Sequence, residues 1–98
     1  YEVITADNGR AALDMIDTKH PDLVILDVMM PRLDGFSVLS AVRADPDLTA
    51  VRILMLTAKG REAEQKKGLG LGADAYMPKP FSTHELVAKA KQLLANPV

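Results

Sequence analysis

The chain has 98 residues, 48 % hydrophobic and 26 % charged, with a formal net charge of −1, which fits one soluble globular domain with a modest core. So small a net charge offers no strong field for nucleic acid or an anionic membrane, and with no cysteine neither disulfides nor thiolate metal sites can form. No apolar run approaches the ~18 residues of a membrane span and no signal peptide is visible, so a cytoplasmic protein is the default expectation.

In chain order, residues 1–6 (YEVITA) have the β-branched and aromatic density of a strand. Asp7-Asn8-Gly9 breaks it, and Asp7 or Asn8 can cap a helix whose apolar stripe is Ala11, Ala12, Met15 and Ile16. His20-Pro21 stops that helix. Leu23-Val24-Ile25-Leu26-Asp27 follows, four unbroken apolar residues ending in a carboxylate, and reads as a strand buried on both faces. Residues 28–35 form a loop with its own turn signals, and residues 36–44 read as a second helix ended by Asp45-Pro46-Asp47. Residues 51–56 (VRILML) are a strand ending at Thr57, and Ala58-Lys59-Gly60 is a loop.

Residues 61–71 form the weakest helix, with Gly68 and Gly70 inside it. Each glycine costs a helix interior ~1 kcal/mol relative to Ala, so this helix is expected to be short, frayed or mobile, with Gly72 as its stop. Residues 74–77 make a short strand before Pro78-Lys79-Pro80. The last helix opens on the capping pattern Ser82-x-x-Glu85 and carries Leu86, Val87, Ala90, Leu93 and Leu94 on one face. The order βαβαβαβα with apolar strands predicts an α/β fold, a parallel sheet with helices on both faces.

Parallel strands bring their C-terminal ends to one edge, so Asp27, Thr57 and Lys79 are expected to converge there. A carboxylate, a hydroxyl and an ammonium suit the handling of a phosphoryl group. The carboxylate is the nucleophile, the ammonium neutralises phosphoryl oxygens, and the hydroxyl donates to another. Taken alone, Asp27 reads as a strand-end residue capping the next loop and Lys79 as a solvated lysine; matching strand ends and the prolines flanking Lys79 favour the functional reading. His20, His84, the pair Met29-Met30 and the pair Lys66-Lys67 read as solvent-facing or packing residues.

These residues carry a resemblance. Leu23 to Asp27 with Met30-Pro31-x-x-Asp34-Gly35, Leu54 to Ala58, Gly72-Ala73-Asp74-Ala75-Tyr76 and Lys79-Pro80-Phe81 resemble a response-regulator receiver domain of two-component signalling, over essentially the whole chain. The resemblance implies a flavodoxin-like doubly wound sheet of order 2-1-3-4-5 and a signalling module rather than an enzyme. It makes Asp27 the phosphoacceptor, Thr57, Ala58 and Lys79 the phosphoryl-contacting residues, Thr57 and Tyr76 the switch pair, and Pro80 a cis-proline. It implies Mg²⁺ held by Asp27 and the Met29 backbone carbonyl, a histidine kinase or phosphotransfer protein as partner, and output through the face of the last two helices and the strand between them.

Two departures follow. The family's first strand, its acidic pair and its first helix have no counterpart, and no adjacent acidic pair occurs anywhere in the chain, which leaves the Mg²⁺ site incomplete. The chain also begins at Tyr1 inside a strand-like run, as a single N-terminally truncated receiver domain would. The absent strand is central in the family order, so a gap of ~10 Å is expected between residues 1–6 and Leu23–Asp27. Either the two strands pair directly, or another chain fills the gap in a homodimer or strand-sharing assembly, or the first strand belongs to a missing segment. The functional alternative is a receiver scaffold that is not phosphorylated and acts by binding or oligomerising. A haloacid-dehalogenase-type phosphatase ranks low because the position two after Asp27 is Met29 rather than Asp, and a flavodoxin relative would need the phosphate loop after its first strand.

Overall fold

The computed structural model describes residues 2–6, 8–27, 34–58 and 62–95. Among them four strands alternate with four α-helices: β1 (Val3–Ala6), α1 (Gly9–Lys19), β2 (Leu23–Asp27), α2 (Gly35–Ala44), β3 (Arg52–Ala58), α3 (Glu62–Gly70), β4 (Ala75–Lys79) and α4 (Thr83–Ala95), with a 3-10 turn at Pro46–Leu48. The strands form one parallel sheet of order β1-β2-β3-β4.

The expected gap is closed. β1 pairs directly with β2, Val3 against Leu23 through Ala6 against Leu26. Two apolar strand edges facing each other across empty space would leave rows of backbone N–H and C=O groups unsatisfied, and direct pairing removes that cost. The open seam that called for a second chain is therefore not present between these strands.

Strand order also decides the layers. Three right-handed crossovers stepping in the same direction put their helices on the same face of the sheet. Ala12 and Ile16 of α1 and Val38, Leu39 and Val42 of α2 accordingly share one core with Ile4, Val24, Leu26, Ile53 and Met55. α3 joins them through Gly68, where an added Cβ would sit 3.6 Å from Met55 and 3.7 Å from Phe36. Both are ordinary van der Waals distances, so an alanine would fit there, and Gly68 is the buried residue of this helix among the described residues.

α4 follows the last strand and covers the opposite face. Its Leu86, Ala90, Leu93 and Leu94 pack on Leu23, Ile25, Leu54 and Met77. Its cover stops short of β1, where Val3, in register with Leu23, is 43 % exposed. Val87, expected on the packed face of α4, is instead exposed.

Helix starts follow the capping chemistry. The Asn8 side chain accepts from Ala11 N–H at 2.8 Å, and Asp34 accepts from Ser37 N–H at 2.8 Å. Ser82 Oγ accepts from Glu85 N–H at 3.1 Å. His20 ends α1 in the left-handed region with φ 47°. Two strands run longer than their sequence pattern predicts. β3 continues through Thr57 and Ala58, and β4 continues through Pro78 and Lys79. A proline has no N–H for a ladder, and β4 tolerates it because it is an edge strand.

Candidate functional site

Asp27 closes β2 after four buried residues, and its side chain is 27 % exposed. Lys79 closes β4, and its side chain is 44 % exposed. Between them runs β3, with Leu56 in register with Asp27 and Ala58 in register with Lys79. Across that strand end the Lys79 ammonium donates to Asp27 Oδ2. Both side chains fall on the same parity as the residues under α4, Ile25 for Asp27 and Met77 for Lys79. An ion pair this exposed contributes on the order of 0–1 kcal/mol to stability, so its energetic value to the fold is small. The Lys79–Pro80 peptide bond is cis.

Thr57 differs in kind. It is 1 % exposed and its hydroxyl has no hydrogen-bond partner among the described residues. By strand alternation it shares parity with Ile53 and Met55, which face α1 and α2. The structure thus brings Asp27 and Lys79 into contact and sets Thr57 beside them on the neighbouring strand, with no hydrogen bond joining it to either among the described residues. A buried hydroxyl without a partner costs roughly 1–3 kcal/mol, which marks Thr57 as a donor without an acceptor.

The fit to Mg²⁺ is poor. Among the described residues no three His, Cys, Asp or Glu side chains come together as a metal site, and one oxygen of Asp27 already faces the Lys79 ammonium. Mg²⁺ asks for a near-octahedral set of oxygens. The Met29 carbonyl expected to contribute lies outside the described residues.

Tyr76 is 37 % exposed on the outer edge of β4. It lines an open hollow with Leu69 of α3, Pro78, and Glu85 and Lys89 of α4. Leu69 and Leu71 nearby are 45 % and 37 % exposed. The face of α3, β4 and α4 therefore presents apolar surface with charged margins.

A second polar cluster, at the opposite sheet edge, was not legible as a site in the sequence. Arg43 in the last turn of α2 donates to Val51 O, Gly72 O and Asp74 Oδ2, each at 2.8 Å. A lone arginine at a helix end gives only the weak signal that cations suit helix C-termini.

The sequence matches the family model described as the response regulator receiver domain over residues 1–91. The chain belongs to the response regulator receiver domain family. Among curated relatives, it is 50 % identical over 94 residues to "Probable transcriptional regulator ycf27" of Cyanophora paradoxa, covering 96 % of this chain and 38 % of that protein. It is 49 % identical over 94 residues to the alkaline phosphatase synthesis transcriptional regulatory protein PhoP of Bacillus subtilis, covering 96 % and 38 %. The receiver domain thus spans well under half the length of these relatives. Among solved structures, the receiver domain of Francisella response regulator 1452 superposes with a TM-score of 0.81 at 34 % identity, covering 92 % of this chain and 73 % of that one. The receiver domain of NtrX from Brucella abortus gives 0.82 at 28 % identity, covering 98 % and 80 %. Receiver domains belong to regulatory signalling proteins. No helix among the described residues is long and apolar enough to cross a membrane.

Proposed function

We propose that this receiver domain, read as one unit over residues 1–98, accepts a phosphoryl group on Asp27 from a histidine kinase or phosphotransfer protein in the cytoplasm. The observation that carries the reading is the pairing of Asp27 with Lys79 across the end of β3, with the buried and partnerless hydroxyl of Thr57 on the strand between them. Asp27 attacks phosphorus, the P–N bond to the donor imidazole breaks, and the imidazole leaves with its electron pair and takes up a proton. An acyl phosphate forms on the Asp27 side chain. The Lys79 ammonium then faces phosphoryl oxygens instead of a carboxylate, and Thr57, whose side chain starts on the other face of β3, moves toward the group so that its hydroxyl gains the acceptor it lacks. The backbone of Ala58, in register with Lys79, stands beside the same group.

Filling the Thr57 hydroxyl would bias the neighbouring edge strand, where Tyr76 sits, and so the exposed face of α3, β4 and α4. A local charge change can bias a bistable face. No step here is assigned to Mg²⁺.

The absence of an acidic metal cluster among the described residues favours a second reading, a scaffold that is not phosphorylated and acts through binding or oligomerisation. Intact mass after incubation with a small acyl phosphate or phosphoramidate donor, with and without Mg²⁺, separates the two. One added phosphoryl group that vanishes in Asp27→Asn is the expected result. No gain under either condition would overturn the phosphoacceptor reading in favour of the scaffold.

A further inference from the structure

We propose that Arg43 and Asp74 are positioning residues for Lys79: they fix the register of β4 on β3 and thereby set the ammonium against Asp27, although neither touches the site. β4 is poorly specified by its own sequence. Among the described residues it is an edge strand that pairs only with β3, only Met77 of its five residues is buried, and Pro78 brings no N–H to the ladder. Register is normally imposed by a buried alternation, and a slip of one residue moves every side chain to the other face. Such a slip would take Lys79 away from the side on which Asp27 lies.

The missing specification comes from the strand's entrance. Asp74 Oδ2 accepts from Ile53 N–H at 2.7 Å, and Asp74 N–H donates to Ile53 O at 3.0 Å. The same Oδ2 accepts from Arg43 at 2.8 Å. Arg43 also donates to Val51 O, just before β3, and to Gly72 O, just before β4. One planar guanidinium thus spans the entrances of both strands, which an ammonium with no fork cannot reproduce. Gly72 makes room for it, because a Cβ there would lie 2.9 Å from Arg43 Cγ. Lys79 sits about 16 Å farther along β4 at ~3.3 Å per residue, so a register set at Asp74 is carried to the ammonium by a rigid strand.

The functional meaning of this inference rests on the reading of Asp27 and Lys79 as the reacting pair, so one measurement of the geometry is made without the reaction. Lysines are ¹³C-dimethylated and the Lys79 resonance is assigned by Lys79→Arg. Asp27→Asn gives its position when the pair is broken. Arg43→Met and the milder Arg43→Lys and Asp74→Asn are compared with Ile16→Val, a destabilised control in α1 remote from β4. The expected result is that all three clamp variants move the Lys79 resonance most of the way to its Asp27→Asn position, while Ile16→Val leaves it in place. Asp74→Asn keeps the oxygen for Ile53 N–H and the fold. An unmoved Lys79 resonance in Asp74→Asn and Arg43→Lys, or an equal movement in the control, overturns the proposal. Where wild type takes phosphate, Arg43→Lys should slow the reaction several-fold, and should slow it no further in a Lys79→Met background. Additive losses there would also overturn it. Wild type failing to react removes only the phosphoacceptor reading, because the resonance test still decides the positioning role.

Discussion

The two ends of β3 and β4 are made of the same backbone but treat their polar groups differently. At the entrance, Arg43 donates to three acceptors and Asp74 accepts from two donors. At the exit, Lys79 and Asp27 face each other partly exposed, and the buried Thr57 hydroxyl has no partner among the described residues. A satisfied network rigidifies its surroundings, whereas an unsatisfied buried donor is a cost that an incoming acceptor would relieve. The contrast separates a region whose polar groups satisfy one another from a region whose polar groups stay partly exposed or unsatisfied among the described residues.

The sharpest break in that contrast is a pair of truncations read by urea unfolding. Arg43→Met strips Asp74 of its charged partner and two carbonyls of their donor, and is expected to cost about 2–3 kcal/mol. Lys79→Met removes a largely solvated partner and should cost below about 1 kcal/mol. Equal costs would erase the distinction between the two ends.

Gly72→Ala probes the entrance from the backbone. Gly72 has φ +108°, and its added Cβ would meet Arg43 Cγ at 2.9 Å. A loss of about 1–2 kcal/mol is expected from the backbone conformation alone; a thermal midpoint equal to wild type would show that neither the backbone conformation nor Arg43 resists the added methyl.

Helix caps near the exit give a middle-sized effect. Asn8→Ala and Asp34→Ala each remove an acceptor held at 2.8 Å from a helix N–H, and each should cost ~1 kcal/mol. Helicity and stability measured together check this, since a cap loss without helix fraying would point to another cause.

The smallest effect is opposite in sign. Thr57→Val keeps the volume and removes a hydroxyl without a partner, so it should leave stability unchanged or raise it by up to about 1 kcal/mol. The same variant should weaken the response to phosphodonor. A destabilised Thr57→Val would mean that the hydroxyl is satisfied in solution and the exit is less unfinished than it looks.

Much of this was legible in the residues themselves. The run Leu23 to Asp27 reads directly as a buried strand ending in an acid, because four consecutive apolar side chains need cover on both faces. Asn8, Asp34 and Ser82 mark helix starts because a short polar side chain can accept a free first-turn N–H. Local chemistry of this kind is written in neighbouring residues. The ends of β3 and β4 were not, since Thr57, Ala58, Pro78 and Lys79 join strands through partners far away in sequence. Nor was the direct pairing of β1 with β2, which satisfies backbone groups that no side-chain pattern records.

The sequence by itself determined the alternation of strands and helices, the burial of β2 and the residue types at the three strand ends. Only the tertiary structure decided strand order, the ion pair of Asp27 with Lys79, the isolation of the Thr57 hydroxyl and the bridge from Arg43 to Asp74. The physical reason is range. Periodicity and capping act over a few residues, whereas register, burial and hydrogen-bond satisfaction are settled only when segments 20 to 50 residues apart meet.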